Sequence, residues 1–210
     1  WNIEFFPKHE LTIPYVKESI DSLNVDIIAL QEITSTDALN NLSNLLGENW
    51  ISFRSGPANS TYAELSFLIN NEAIQYANEP QTILNWAASG PGNAFSYRAP
   101  FMFEFVYNNS VFYLINIHLK CCGDGIINPS NIYDEEYRRQ EASRLLHEYI
   151  NENLSGENVI VMGDFNDELT DIADYNVFNI FLADVDNYLF ADFEIAIGNN
   201  ENWSYPLYGN

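Results

Sequence analysis

The stretch Val159–Asn166 reads VIVMGDFN: apolar β-formers that end abruptly in Gly163, Asp164, Phe165 and Asn166. Such a run predicts a buried strand, with Gly163 allowing the backbone to turn at its end. Asp164 and Asn166 then project a carboxylate and an amide from the strand's mouth. That pair suits a hard cation, or a water that must be oriented. It also suits an Asx turn, the plainer use of Asp and Asn at a strand end. Other strand ends carry groups of the same kind. Glu32 follows the apolar run DIIALQ. A carboxylate there is costly unless it is solvated, paired or bound to metal. His118 lies near the end of VFYLINIHL. A lone strand His is most often a satisfied core residue, but the loop KCCGDGIINP that follows sets this one at a rim. Asn2 is the one uncharged polar residue of WNIEFF, and Arg98 stands just before the apolar run that begins at Phe101.

These groups need elements to position them. Trp1–Phe6 reads as a strand ended by Pro7. Thr12 is expected to cap a helix running to Leu23, with Pro14 in its first turn and Ile13, Val16, Ile20 and Leu23 as its stripe. Asp26–Gln31 is a buried strand. Ser35 or Thr36 caps a second helix with Leu39, Leu42, Leu45 and Leu46 as its face, stopped at Gly47. Glu64–Ile69, Ala73–Ala77 and Thr82–Asn85 read as an antiparallel meander on the edge of a first sheet. Ala87–Ala94, AASGPGNA, is the clearest loop and divides two halves. From Phe101 the aromatic residues alternate strictly to Tyr107, Asn108–Asn109 is a hairpin turn, and Val111–Leu119 returns. The longest helix spans Asp134 to about Asn153, with Tyr137, Leu145, Leu146, Tyr149 and Ile150 expected inside. After the Val159 strand, Asp167–Glu168 reads as the acidic first turn of another helix. Phe178–Leu182 reads as helix and the tail from Asn199 as loop.

The chain has 210 residues, 47% of them apolar and 15% aromatic, which suits one globular α/β domain, 1–210. No apolar run is long enough to span a bilayer. Net charge is −22, from 8 Lys+Arg against 30 Asp+Glu. That argues against tight nonspecific nucleic-acid binding, which needs a basic footprint, but not against an enzyme that meets phosphate through metal ions. Five of the eight cations, Arg98, Lys120, Arg138, Arg139 and Arg144, fall between 98 and 144. They serve a site, or they pair with the acids of a helix surface. Cys121 and Cys122 are adjacent, which leaves a strained vicinal disulfide or two free thiols. Sequons occur at Asn41, Asn59, Asn108, Asn153 and Asn202 in a chain rich in Asn.

In layered α/β proteins, polar groups at strand lips converge on one edge of the sheet. Glu32 and Asp164 would then share an oxygen-rich site. Without Cys or His ligands beside them, Mg²⁺, Mn²⁺ or Ca²⁺ fits better than Zn²⁺. WNIEFF, DIIALQEI, YRAPF, NIHLK and VIVMGDFND, in that order, resemble the successive motifs of the endonuclease/exonuclease/phosphatase superfamily. This is the fold of pancreatic deoxyribonuclease, exonuclease III, the neutral sphingomyelinases and the inositol polyphosphate phosphatases. The resemblance covers almost the whole chain. It implies a four-layer α/β/β/α sandwich. It implies Glu32 as principal metal ligand, with Asn2 beside metal and phosphate and Asp164 at metal and water. It implies Arg98 supporting the substrate phosphate, and His118 hydrogen-bonding that phosphate and protonating the leaving group. Asn166, with His118, would hold the equatorial oxygens. The reaction implied is in-line attack of water on phosphorus, with nucleic acid as substrate. Oligomeric state is left open. The KCCGDG loop and the RRQEASRLL helix look closest to secreted bacterial nucleases, so secretion is an expectation from resemblance alone.

One departure bears on activity. The family closes with an Asp-His pair, and no His follows Asn166. WSYPLYGN looks like the loop that leads into that strand. The chain is therefore expected to be a fragment lacking the last strands, poorly active alone. Two other readings stand beside the nuclease: a phosphatase or phospholipase-type phosphodiesterase on the same fold, and a module whose site has decayed.

Overall fold

A computed structural model describes residues 1–204. Its elements are β1 (Asn2–Phe6), α1 (Thr12–Leu23), β2 (Ile27–Ile33), α2 (Thr36–Leu46), β3 (Trp50–Arg54), β4 (Glu64–Asn70), β5 (Gln81–Thr82), β6 (Phe101–Tyr107), β7 (Ser110–His118), α3 (Glu135–Asn153), β8 (Asn158–Asp164), and two short helices, α4 (Asn179–Leu182) and α5 (Phe193–Ala196). The strands form two sheets, ordered β1-β2-β4-β3 and β5-β6-β7-β8.

Side-chain alternation assigns each face of each sheet to a layer. In β2, Ile28 and Leu30 join Val16 and Ile20 of α1 and Leu39 and Leu42 of α2 in an outer core. Ala29, one residue out of phase, turns to the other side. There it meets Leu65, Phe67 and Ile69 of β4 and Phe101, Phe103 and Phe105 of β6. The Phe67 and Phe101 rings stack at 5.3 Å across the two sheets. Met102, Ile115 and Ile117 face outward onto Ala142, Leu145, Leu146 and Ile150 of α3. The result is the four-layer α/β/β/α sandwich. Each fully buried Phe or Leu in these cores contributes about 2–3 kcal/mol.

Local chemistry sets the turns. Asn108 and Asn109 both take left-handed φ, 49° and 63°, the demand of a type I′ hairpin. Ser35 caps α2 by accepting the Ala38 N–H at 3.2 Å, and Asp134 caps α3 by accepting the Tyr137 N–H at 2.8 Å. Thr12 is not the cap of α1. It is the first helical residue, and its hydroxyl accepts the His9 N–H instead.

The meander expectation fails. β4 is central, antiparallel to both β2 and β3. Ala73–Ala77 forms no strand, only the isolated bridge of Gln75 to Val106. Thr82 belongs to β5, which pairs with β6 in the second sheet, and Asn85–Ala88 is a 3₁₀ turn. No helix starts at Asp167–Glu168. On α3 the buried face holds Glu136, Arg138 and Arg139 beside Leu145, Leu146 and Ile150, while Tyr137 and Tyr149 are only partly buried. Residues 205–210, most of WSYPLYGN, lie outside the described residues.

β8 ends the second sheet. Val159 and Val161 pack toward α3, whereas Ile160 and Met162 face the opposite side at 43% and 36% exposure. Between the sheets, at the end nearer β8, two amides replace hydrocarbon. Gln31 Nε2 donates to Asn116 Oδ1 at 2.6 Å, and Asn116 Nδ2 donates to the carbonyls of Leu30 and Ser66, each at 3.0 Å.

Candidate active site

The site begins in a pairing irregularity. β1 runs parallel to β2 with Asn2 opposite Gln31 and Phe6 opposite Ile33, so four steps on one strand face two on the other. Glu4, Phe5 and Glu32 absorb the mismatch with left-handed φ of 38°, 52° and 65°. A bulge of this kind re-aims side chains. Leu30 and Ile33 both face the helix layer, and Glu32 between them is released from the alternation. Its carboxylate is then gripped from β1. Phe5 N–H donates to Oε2 at 3.2 Å, and Asn2 Nδ2 donates to Oε1 at 3.0 Å.

Asn2 also reaches the second sheet. The same Nδ2 donates to Asp164 Oδ2 at 2.8 Å. Its Oδ1 accepts the Glu4 N–H at 3.0 Å, which sets which end of the amide faces the carboxylates. Asp164 is placed by β8, parallel to β7 and in register with His118 across the ladder. Gly163 makes that register attainable. Its φ is 143°, and a Cβ there would overlap the Ile117 carbonyl oxygen of β7.

His118 is 4% exposed, with Nε2 3.9 Å from Glu32 Oε1 and 3.8 Å from Asp164 Oδ2. These gaps are too long for direct hydrogen bonds and short enough for one water or substrate oxygen to bridge. Its Nδ1 is buried without a partner. Burial first, and then the Arg98 guanidinium, pull its pKa down to about 4 against the opposing pull of Asp164 and Glu32. The imidazole is therefore neutral near pH 7, a hydrogen-bond donor and not a cation.

Arg98 and Asn166 stand one step behind. Arg98 donates from Nε to the His118 carbonyl and from Nη2 to the Leu119 carbonyl, both at 3.3 Å. Asn166 Nδ2 donates to the same Leu119 carbonyl at 3.1 Å. Asn166 N–H donates to Asp164 Oδ1 at 3.1 Å, so the Asx turn is present. The structure thus brings Asn2, Glu32, His118 and Asp164 together, and sets Arg98 and Asn166 around Leu119.

Sequence reasoning missed what holds the loops. Arg139, 2% exposed, donates from Nη1 to the carbonyls of Lys120 and Cys122 at 2.6 and 2.8 Å. Its Nε donates to Asp167 at 2.6 Å, and Nη2 lies 3.2 Å from Glu136. One guanidinium therefore ties the loop after β7 to the loop after β8. Arg144 behaves as a surface ion-pairing residue, bound to Glu141 and Glu148. Among the described residues no three His, Cys, Asp or Glu side chains gather as a metal cage.

The comparisons agree with this architecture. The crystal structure of humanized TDP2 of D. rerio, carrying 14 mutations, is 15% identical with a TM-score of 0.62, over 91% of this chain and 70% of its own. D. rerio TDP2 complexed with single-strand DNA product is 15% identical with a TM-score of 0.61, over 83% of this chain and 60% of its own. A mannosyl-6-phosphatase of Bacteroides thetaiotaomicron is 18% identical with a TM-score of 0.55, over 79% of this chain and 60% of its own. The chain thus spans less than two thirds of the length of the last two. No curated protein matches it by sequence. The model of the Endonuclease/Exonuclease/phosphatase family matches residues 1–208, and the chain belongs to that family.

Proposed function

We propose that this member of a phosphoester-hydrolysing family is a divalent-metal-dependent nuclease. The observation that carries the reading is the Asn2 amide joined to one carboxylate of each sheet, Glu32 and Asp164, beside a buried neutral His118. Two carboxylates with no thiolate fit a hard cation that takes its other ligands from water and substrate. Glu32 and Asp164 would hold it, with Asn2 aligning both; Mg²⁺ is the first choice, and Mn²⁺ or Ca²⁺ the others. Bound there, such an ion supplies positive charge to the phosphate oxygens and leaving group.

The chain's own residues do the rest. Asp164 orients the attacking water for in-line displacement at phosphorus. His118 donates a hydrogen bond to a non-bridging phosphate oxygen, where a fixed donor is most effective. Asn166 keeps a second amide N–H for the same group after binding the Leu119 carbonyl. Arg98 holds the backbone of His118 and Leu119, so that the imidazole does not drift.

Exposed aromatics support nucleic acid as the substrate. Phe5, whose N–H binds Glu32, is 54% exposed, and Tyr97, next to Arg98, is 60% exposed. Nucleobases stack on such rings.

The test is hydrolysis of plasmid and single-stranded DNA, with and without chelator, by the purified protein. Glu32→Ala is expected to abolish hydrolysis, and chelation to do the same. Unchanged activity in Glu32→Ala would remove Glu32 from the site. Phosphate release from small phosphomonoesters with DNA left intact would replace the nuclease by a phosphatase.

A further inference from the structure

The Cys121–Cys122 pair is outside the catalytic reading but physically tied to it. Both cysteines are free and exposed. Their side chains lie together, with the two Sγ atoms in direct contact. The backbone explains the meeting. The carbonyls that flank the pair, of Lys120 and Cys122, converge on the single Nη1 of buried Arg139. The dipeptide between them is folded back on itself, and Cys122 sits at φ 126°, a conformation an L-residue rarely holds. The ammonium of Lys120 donates to the Cys121 carbonyl at 2.7 Å. The neighbouring Cys121 sulfur first, and then burial, raise the Cys122 thiol above its ordinary pKa, against the weaker downward pull of Lys120 and Arg139.

We propose that Cys121 and Cys122 are a redox modification site, closed to a vicinal disulfide by a small-molecule disulfide oxidant. One thiolate attacks a sulfur of the oxidant, forming a mixed disulfide and releasing one thiol. The neighbouring sulfur then attacks its partner's sulfur in that mixed disulfide and releases the second thiol. The protein loses two electrons and two protons, and the oxidant gains them as two thiols. Adjacent cysteines close only into a strained ring, so the bond is labile and reversible. Closure also reshapes the Lys120 and Cys122 carbonyls. These share their short loop with Leu119, whose carbonyl holds Arg98 and Asn166 and whose N–H donates to the Asp164 carbonyl at 2.9 Å.

The experiment treats the reduced 210-residue chain with glutathione disulfide and reads intact mass, peptide mass, thiol count and amide hydrogen exchange. The expected product is a monomer short of two hydrogens, with no free thiol, restored by dithiothreitol. The Leu119 amide is expected to exchange roughly tenfold faster once closed, the equivalent of one hydrogen bond weakened. The double variant Cys121→Ser/Cys122→Ser should show neither change. Addition of a glutathionyl group to each thiol, a disulfide-linked dimer, or untouched thiols would each overturn the site. An intrachain disulfide with unaltered exchange at Leu119 would overturn its link to the loop. None of these readouts depends on hydrolysis, so they stand or fall apart from the nuclease reading.

Discussion

Gly163→Ala tests how the second sheet delivers Asp164. At Gly163 an added Cβ overlaps the Ile117 oxygen and lies 2.9 Å from both the carbon and the nitrogen of Ile117. That is about 0.6 Å inside a comfortable carbon contact, and the obstacle is backbone of the paired strand, which cannot rotate away. Left-handed strain at φ 143° adds about 1–3 kcal/mol. Relief requires β8 to move off β7 at its last residues. The Leu119 N–H to Asp164 carbonyl bond, 2.9 Å, and a neighbouring ladder bond are then weakened, at about 1 kcal/mol each. The sum is about 3–5 kcal/mol. Gly156→Ala is the control, because its φ is 82° and nothing lies within 4 Å of the added carbon. It carries the conformational cost alone, about 1 kcal/mol. With a urea slope near 2 kcal/mol/M, the two midpoints should differ by about 1–2 M. Equal midpoints, or a Gly163→Ala protein within about 0.5 kcal/mol of the parent, would refute the close approach of β8 to β7.

Three further outcomes follow from other parts of the molecule. Asn116→Ala should cost about 2–4 kcal/mol in urea unfolding, because Gln31 and the Leu30 and Ser66 carbonyls lose their partner inside the sandwich. Arg139→Ala should cost about 3–5 kcal/mol by leaving Glu136 and Asp167 unpaired, and Arg139→Lys should recover only part of it in thermal melts. Burial, then Asp167 and Glu168, raise Asp171 to about 6. A raised acid stabilises the fold fully below its unfolded value near 4 and loses that contribution as pH rises through 6. Asp171→Asn should therefore match the parent at pH 4 and exceed it by about 1 kcal/mol at pH 7 after solvent screening, read from paired urea curves.

The strand ends were legible because apolar runs that stop at a polar residue have few other uses. Glu32, His118 and Asp164 were found that way, and the order of their motifs carried the family. Their distances were not legible. Glu32 owes its aim to left-handed residues in β1 and at its own position, none of them Gly, and side-chain type gives no warning of such a bulge. The buried face of α3 was misjudged for a different reason. Arg138 and Arg139 look like surface residues until their acceptors, Asn93, Ser96, Lys120, Cys122 and Asp167, arrive from distant parts of the chain. Asp167 was read as a helix start because its real partner, Arg139, is 28 residues away. The Gln31–Asn116 bridge did leave a signal. Two uncharged amides interrupt otherwise apolar strands, and a buried amide needs a partner. The meander was misread because periodicity reports which face is buried, never which strand lies alongside.

The rim of β8 has a consequence for handling the protein. Among the described residues this strand pairs on one side only, with β7, and it presents Ile160 and Met162 to solvent. Unpaired apolar edges recruit other chains unless something keeps those chains away. No lysine or proline on β8 does so, for the strand reads NVIVMGD. The guard is collective: every copy carries a net charge of −22. At physiological ionic strength that repulsion reaches only about 8 Å, and it vanishes as the carboxylates protonate near pH 4. Salt and acid are thus the two conditions that should make this chain, with that edge unpaired, stack edge to edge.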